Sequence, residues 1–289
     1  MDKYASHITP RAIKFMLSDN TPKYWHSHMA APTYTFNTLA LYLPILERMV
    51  VLSLKQSLNN LPNMVLKQEV QSLIAQEAYH GSEFAKMLPS LVYQHYPNLN
   101  QKYKFKFLGA LAFSINKVLP NFHYALSAAG EHFTAISADL FLRRPKIFEN
   151  VAPEYSAIWR WHAIEEIEHK TVAFDVYQHF SGNYIQRILA MIIMTLVFST
   201  FMFKPIWLMM RHDNEHRKLK AYKEVFKYQW GKRGLWRGLL KPYFFYYHPR
   251  FHPKKIKNDQ LIKKWTSALS KQENNQSRLA LLQANEKLF

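Results

Sequence analysis

Apolar residues recur at intervals of three and four along most of the chain, and this spacing predicts α-helices. Only 7 glycines occur in 289 residues and few stretches alternate apolar with polar residues, which disfavours a sheet protein. The periodic stretches cover roughly residues 36–58, 64–87, 104–142 and 153–181, with a break expected near Pro120. The sequence therefore predicts an all-α fold built around four long helices.

A different pattern follows these helices. Residues 188–203, ILAMIIMTLVFSTFMF, form an uninterrupted apolar run of 16 residues, which becomes 23 residues when it is extended through Lys204 to residue 210. A membrane span needs about 20 apolar residues, so residues 188–210 fit a buried core helix, a membrane span or an interfacial helix. We expect membrane insertion or interfacial docking, because a basic tract follows the run immediately.

Positive charge is concentrated in the last third of the chain. The chain has 38 Lys and Arg against 20 Asp and Glu, but residues 204–271 alone hold 18 against 4. Such a surface attracts nucleic acid, anionic lipid or an acidic protein. The interleaved Tyr, Trp and Phe favour a membrane interface over nucleic acid. We therefore expect residues 1–185 to form a helical bundle and residues 186–289 to hold the apolar segment and a basic, aromatic-rich region.

The N-terminus and the cysteine count restrict the location and the chemistry. The start, MDKYASHITPRAIKFML, lacks the basic-then-apolar pattern of a secretory signal, so we expect the cytoplasmic side, at the inner membrane. The chain has no cysteine. Disulfides, iron–sulfur clusters, thiolate zinc sites and cysteine nucleophiles are therefore excluded, and a metal site must use His, Asp or Glu.

The stretch WHAIEEIEHK, residues 161–170, gathers two histidines and three glutamates in an apolar neighbourhood. On a helix, His162, Glu166 and His169 share the stripe that continues through Ala173 and Val176. Glu168 points to the opposite side, so we expect it to be solvated. Glu165 lies at the edge of the stripe and is the competing choice of carboxylate.

The same short motif occurs a second time. In QEAYHG, Glu77 and His80 lie three residues apart on an apolar stripe, and Glu47 and Glu131 each lie alone on the apolar face of another predicted helix. Glu, Glu-x-x-His, Glu, Glu-x-x-His on four successive helices is the pattern of ferritin-like di-iron and di-manganese proteins. Four carboxylates neutralise two divalent cations, and the oxygen and imidazole ligands suit iron or manganese. We therefore predict a di-metal site, with iron as the preferred metal and manganese as the alternative.

Two family resemblances accompany this pattern. The segments QEAYHGSEF, GEHFTA, WRWHAIEEIEHKTVAFDVY and YYHPRFHP resemble, in this order, a bacterial family of predicted metal-dependent hydrolases, over most of the chain. The spacing His-x-x-x-Glu-x-x-His in the fourth helix is similar to that of the di-iron arylamine N-oxygenases. That second resemblance implies that His162 is a seventh metal ligand.

Three classes of function remain open. The leading hypothesis is a non-haem di-iron oxidoreductase that activates O2 on an apolar, lipid-like substrate, with a ferredoxin or a flavin reductase as electron donor. The alternative is a metal-dependent hydrolase in which two metals activate water. The third is a metal-binding or membrane-associated protein without catalysis. We predict no catalytic residues beyond the ligands and no organic cofactor, and we assign His123, His132, His248 and His252 to roles other than metal binding.

Overall fold

Every regular element in the described part of the chain is helical. The computed structural model describes residues 20–100 and 119–273, together with residues 8, 11, 13, 15 and 18. The α-helices in these ranges are α1 (Ala30–Ser57), α2 (Met64–Leu88), α3 (Phe122–Arg143), α4 (Pro153–His169), α5 (Val172–Phe180), α6 (Tyr184–His212), α7 (Leu219–Trp230), α8 (Leu240–Phe245) and α9 (Asp259–Glu273). The predicted all-α fold is confirmed.

A layer of buried histidines and glutamates separates two hydrophobic clusters along the bundle. Along α1, Leu43 belongs to the first cluster and Val50 to the second, with Glu47 between them. Like α1, the chain from α4 to α5 runs from the first cluster to the second. Helices α2 and α3 run the opposite way, from the second cluster to the first. Helices α1 and α2 are therefore antiparallel, as are α3 and α4, while α2 and α3 run in the same direction.

This topology requires one long connection. Because α2 and α3 are parallel, a short turn cannot join them, and α3 begins at Phe122, well beyond the end of α2 at Leu88. Two antiparallel pairs joined by one long crossover is the ferritin-like form of the four-helix bundle. Each antiparallel pair therefore contains one helix with a single glutamate ligand and one helix with the Glu-x-x-His motif.

Local sequence signals explain several helix ends. The side chain of Asn63 accepts a hydrogen bond from the backbone N–H of Leu66 at the start of α2, and Asn183 does the same for Ile185 and Gln186 at the start of α6. Pro153 occupies the first turn of α4, where its missing N–H costs nothing.

Two of the four predicted helices differ from the structure. The expected helix over 153–181 is interrupted at Lys170 and Thr171, so it consists of α4 and α5. The ammonium group of Lys170 donates to the carbonyl of Ile256 at this break. Helix α1 begins at Ala30, six residues before the expected start, and the hydroxyl of Thr35 in this added part donates to the carbonyl of Ala31. Of the expected helix over 104–142, residues 104–118 lie outside the described residues, and α3 begins after the break near Pro120.

Helix α6 contains the apolar run and packs against α1 and α3 of the bundle. Both α1 and α6 are long and apolar enough to cross a membrane, but 56% of the apolar window of α1 is buried against 28% of that of α6. Five exposed apolar side chains of α6 lie three, four or seven residues apart, on one face: Ile185, Leu189, Ile192, Leu196 and Phe203. Helix α6 therefore covers the bundle with one side and leaves an apolar stripe on the other.

The C-terminal end of α6 is tied to the bundle. Asp213 accepts hydrogen bonds on Oδ2 from the hydroxyls of Tyr24, Tyr34 and Tyr96, at 2.9, 2.7 and 3.1 Å. Lys23 forms an ion pair with the other carboxylate oxygen. These contacts hold α6 along the bundle. The division of the chain into two units near residue 185 stays a prediction.

Candidate metal centre

The structure brings all seven predicted ligands together in the polar layer of the bundle. Each helix of the bundle contributes at least one of them, and their exposed fractions are 0 to 5%. The residues are Glu47 on α1, Glu77 and His80 on α2, Glu131 on α3, and His162, Glu166 and His169 on α4. Because the two hydrophobic clusters lie on either side, the layer is closed off from solvent along the bundle axis.

One group of four side chains consists of Glu47, His80, His162 and Glu166, whose ligand atoms all lie within 4.8 Å of one another. Nε2 of His162 lies 3.1 Å from Oε1 of Glu47 and 3.0 Å from Oε1 of Glu166. Nδ1 of His80 lies 3.5 Å from the same oxygen of Glu166. Two carboxylates and two imidazoles thus converge on one point and could hold one metal ion.

The second group shares Glu166 with the first. Its other members are Glu77, Glu131 and His169, again with ligand atoms within 4.8 Å of one another. Nδ1 of His169 lies 2.6 Å from Oε1 of Glu77, 3.7 Å from Oε2 of Glu131 and 3.9 Å from Oε1 of Glu166. The two groups are therefore adjacent, and Glu166 could serve as a ligand in either one.

The polar atoms that point into this layer fit metal ions rather than hydrogen bonds. Six of the seven residues carry a buried oxygen or nitrogen that makes no hydrogen bond: Glu47, Glu77, His80, Glu131, Glu166 and His169. A buried polar atom without a partner costs about 1–3 kcal/mol, so six residues with such atoms in one place need another explanation. Coordination of divalent cations supplies the missing partners and balances the four negative charges.

The outer nitrogen atoms of two histidines have partners of their own. Nε2 of His80 lies 2.8 Å from Oε2 of Glu165, and Nε2 of His169 lies 2.8 Å from Oε1 of Gln76. When Nε2 donates its proton to such an oxygen, Nδ1 keeps its lone pair and faces the metal position. Arg11 in turn donates to Glu165 at 3.1 Å. These contacts orient both rings as in known metal sites.

The charges within the layer shift the pKa values of its members. Burial and the nearby carboxylates, chiefly Glu166 and Glu77 respectively, raise the pKa of Glu77 and of Glu131 well above the usual range. Burial also opposes ionisation of Glu166, but the histidines around it, above all His162, hold its pKa well below the usual range. Binding of two cations would therefore displace protons from this layer, so metal affinity should fall at low pH.

Two predictions concern residues next to the ligands. Glu168 is not solvated, because Arg11 forms an ion pair with it at 2.7 Å and leaves only 11% of its side chain exposed. The expectation failed because Arg11 comes from a distant part of the sequence. Glu165, the competing carboxylate, belongs to neither ligand group and contacts His80 from outside. Sequence reasoning did not identify Arg11 and Gln76, and no spacing rule connects them to the ligands.

The other histidines in the described ranges lie outside both ligand groups. His132 contacts the carbonyl of Pro242 through Nε2, and His252 pairs with Asp175 at 3.0 Å. Nδ1 of His248 accepts from the backbone N–H of Arg250. Each of these three rings therefore has a local partner, and its assignment to a role other than metal binding stays a prediction.

Comparison with known proteins identifies the family but no individual relative. A family model described as a predicted metal-dependent hydrolase matches residues 9–257, which include all seven candidate ligands and also Arg11 and Glu165. No curated protein and no solved structure is detectably similar to the chain. The match covers most of the chain and all of the buried His and Glu layer, so the protein belongs to the family of predicted metal-dependent hydrolases.

Proposed function

We propose that the protein is a metal-dependent hydrolase that holds two divalent ions in the buried layer. The observation that carries the proposal is the position of Glu166, whose carboxylate belongs to both ligand groups and so would help to hold either ion. Two adjacent ions lower the pKa of water and polarise an acyl or phosphoryl oxygen. The family description supports hydrolysis over the oxidative alternative.

The chain's own residues would position these ions and restrict the surroundings. Glu47 and His162 contribute to one group only, and Glu77, Glu131 and His169 to the other. Glu165 and Gln76 hold the rings of His80 and His169 in place. Because every ligand is at most 5% exposed, bulk water is largely excluded, which strengthens electrostatic interactions with a bound substrate.

Oxidation by O2 is the second candidate. The observation that favours it is the ligand set itself, since four carboxylates and three histidines give the anionic, oxygen-rich surroundings that suit iron. In that case the active metal would be iron, the substrate apolar, and the electron donor a ferredoxin or a flavin reductase attracted to the basic surface. Manganese remains an alternative metal for either reaction.

One experiment separates the two reactions. The metal-free protein is loaded in parallel with Zn2+, Mn2+ or Fe2+, and each form is assayed for cleavage of ester and phosphoester substrates and for O2 uptake after reduction. Hydrolysis with Zn2+ or Mn2+ that disappears in Glu166→Ala supports the proposal. O2 uptake by the iron form without hydrolysis would contradict it and favour the oxidative alternative.

We also propose that the protein docks on the cytoplasmic face of the inner membrane through α6. The support is the apolar stripe on the exposed side of α6 and the excess of Lys and Arg that follows. The contacts of Asp213 with Tyr24, Tyr34 and Tyr96 favour a helix that lies in the interface over one that crosses the bilayer. Salt extraction of isolated membranes tests this, because an interfacial helix assisted by charge is released more readily than a spanning one.

A further inference from the structure

A cavity of about 480 Å³ lies between α6, α7 and the segment around residues 236–243. Its deeper wall is apolar and buried, with Met202, Ile206, Met210 and Trp236 among its members. Cavities of this size bind small-molecule or cofactor ligands. None of the seven candidate metal ligands lines it, so this is a site separate from the metal centre.

The mouth of the cavity consists of large apolar side chains that are exposed. Phe203, Phe226, Trp230 and Leu240 all line the cavity, yet their exposed fractions are 65, 64, 42 and 39%. Large apolar side chains clustered at an open cavity mark an interaction site. The exposed stripe of α6 ends at Phe203, so the mouth continues the apolar surface proposed to face the membrane.

The shape and polarity of the cavity suit a hydrocarbon chain. Its lining on α6 extends from Thr195 to Met210, or about 22 Å at 1.5 Å per residue. One leaflet of a bilayer has a hydrocarbon depth of about 15 Å, half of the usual thickness, so one acyl chain fits this length. The hydroxyls of Thr195 and Tyr243 bond to each other at 2.8 Å, and the amide of Gln229 donates to Thr35. These polar groups of the wall are thus already paired, which favours an apolar ligand.

Exposed cations lie close in sequence to the residues of the mouth and indicate the charge of the ligand's headgroup. Residues 219–241 contain seven Lys and Arg but only one acidic residue, Glu224. Lys223 and Lys227 are exposed on α7, three residues before and one residue after Phe226, and Arg237 and Lys241 are exposed directly after the cavity residues Trp236 and Leu240. Each cation near an anionic membrane strengthens binding, on average about fivefold.

We propose that this cavity takes up one acyl chain of an anionic phospholipid from the bilayer on which the protein rests. The exposed side chains at the mouth enter the interface, while the lysines and arginines around them contact the headgroups. The proposal rests on the membrane docking proposed above and is independent of the reaction at the metal centre. A lipid held in this way would fix the orientation of the bundle on the membrane.

Tryptophan fluorescence provides the test, because Trp207, Trp230 and Trp236 line the cavity. Full-length protein is mixed with vesicles of phosphatidylcholine and phosphatidylglycerol whose acyl chains carry bromine, which quenches tryptophan on contact. Vesicle flotation measures docking in the same samples. Ser199 lines the cavity, so Ser199→Phe should fill it, whereas Thr200→Phe adds the same ring on the next residue of α6, outside the lining.

The expected result is that all three proteins float with the vesicles, that wild type and Thr200→Phe are quenched strongly, and that Ser199→Phe loses most of this quenching. Val225→Phe, which fills the cavity from α7, should repeat the loss, and circular dichroism checks that each variant is folded. Equal quenching in wild type and in both filled variants would overturn the acyl-chain site while leaving docking intact. Flotation failure would overturn docking, and quenching by brominated fatty acid without vesicles would overturn the bilayer as the source.

Discussion

Nε2 of His80 lies 2.8 Å from Oε2 of Glu165, and this contact aims the opposite nitrogen of the ring, Nδ1, at the metal position beside Glu166. Both side chains are fully buried. Contacts with Glu165 and Glu166 outweigh the effect of burial and raise the pKa of His80 well above its usual value. A metal ion at Nδ1 would therefore have to displace a proton, and Glu165 decides which nitrogen keeps the other one.

Glu165→Gln should weaken metal binding although Glu165 is not in either ligand group. A glutamine removes the negative charge that fixes the ring and its tautomer, and loss of such an outer partner costs about 10–100-fold in metal affinity. Competition with a chelator of known affinity measures the change. The ion held by Glu47, His80 and His162 should be lost first, because His80 belongs to that group.

Glu168→Gln is the matched control for this variant. Glu168 carries the same carboxylate on the same helix and also contacts Arg11, but it makes no contact with His80. Metal affinity close to that of wild type is expected. Equal losses in the two variants would mean that the Arg11 ion pairs, and not the His80 contact, explain the effect.

Gly81→Ala should disturb one metal position selectively. A Cβ atom at residue 81 would lie 3.2 Å from Oε2 of Glu47 and 3.8 Å from Cα of Pro44, where α2 comes close to α1. The added methyl group therefore pushes on a ligand that belongs to the first group only. We expect weaker binding of one of the two ions in a calorimetric titration, with the second ion little changed.

Gly130→Ala tests whether the effect is specific. Its added Cβ would lie 3.1 Å from Cδ1 of Leu46, at the far end of a flexible side chain, and no ligand atom is among its nearest neighbours. Both substitutions favour the helix by about 1 kcal/mol. Metal binding like that of wild type is expected for Gly130→Ala, and the same defect in both variants would contradict a direct effect on Glu47.

Much of the fold follows from the sequence because apolar periodicity determines which helix faces are buried. The four helices that supply ligands were predicted, and their lone and paired glutamates indicated the bundle. The break at Lys170 was not predicted, because the apolar stripe through His169 and Ala173 continues across it. At this break Lys170 contacts Ile256, which is distant in sequence, and local patterns do not reveal such a contact.

The candidate site shows the same limit. The ligands could be found because each lies on a stripe of its own helix, so local spacing was enough. The partners that orient them could not, since Gln76 precedes Glu77 and reads as an ordinary polar residue, and Arg11 lies far from Glu165 in sequence. The helical angle of Glu168 alone predicts a solvated side chain, and only the fold brings Arg11 to it.

Asp213→Asn should destabilise the protein. The carboxylate accepts from Tyr24, Tyr34 and Tyr96, and its side chain is only 2% exposed. Hydrogen bonds to a charged group contribute about 1.5–3 kcal/mol each, so we expect the free energy of unfolding to fall by about 2–4 kcal/mol. Asp139→Asn, which weakens the exposed pair with Arg143, should change it by less than about 1 kcal/mol. Denaturant unfolding measures both, and equal effects would contradict the anchoring role.

His26 should make the protein sensitive to mild acid. Burial lowers the pKa of His26 to about 3, and the ring stacks on Phe36. Because the folded pKa lies below the unfolded value, the unfolded chain binds a proton that the native state does not, and stability falls as the pH drops below about 6.5. Between the two pKa values, His26 alone lowers the free energy of unfolding by about 1.4 kcal/mol for each pH unit of acidification. In His26→Phe, unfolding free energies measured across this range should fall less steeply, and an unchanged slope would contradict this account.

The number of metal ions bound by Glu166→Ala, compared with wild type, tests the central claim most directly. Glu166 belongs to both ligand groups, so its removal leaves three donors in each and removes the carboxylate between the ions. Metal-free protein is loaded with Fe2+, Mn2+ or Zn2+ and freed of excess metal. Its metal content is then measured by inductively coupled plasma mass spectrometry. The account predicts two ions per chain in wild type and a loss of both in Glu166→Ala, while the helical content is retained. Wild type that binds no metal, or a variant that still binds two ions, would contradict it.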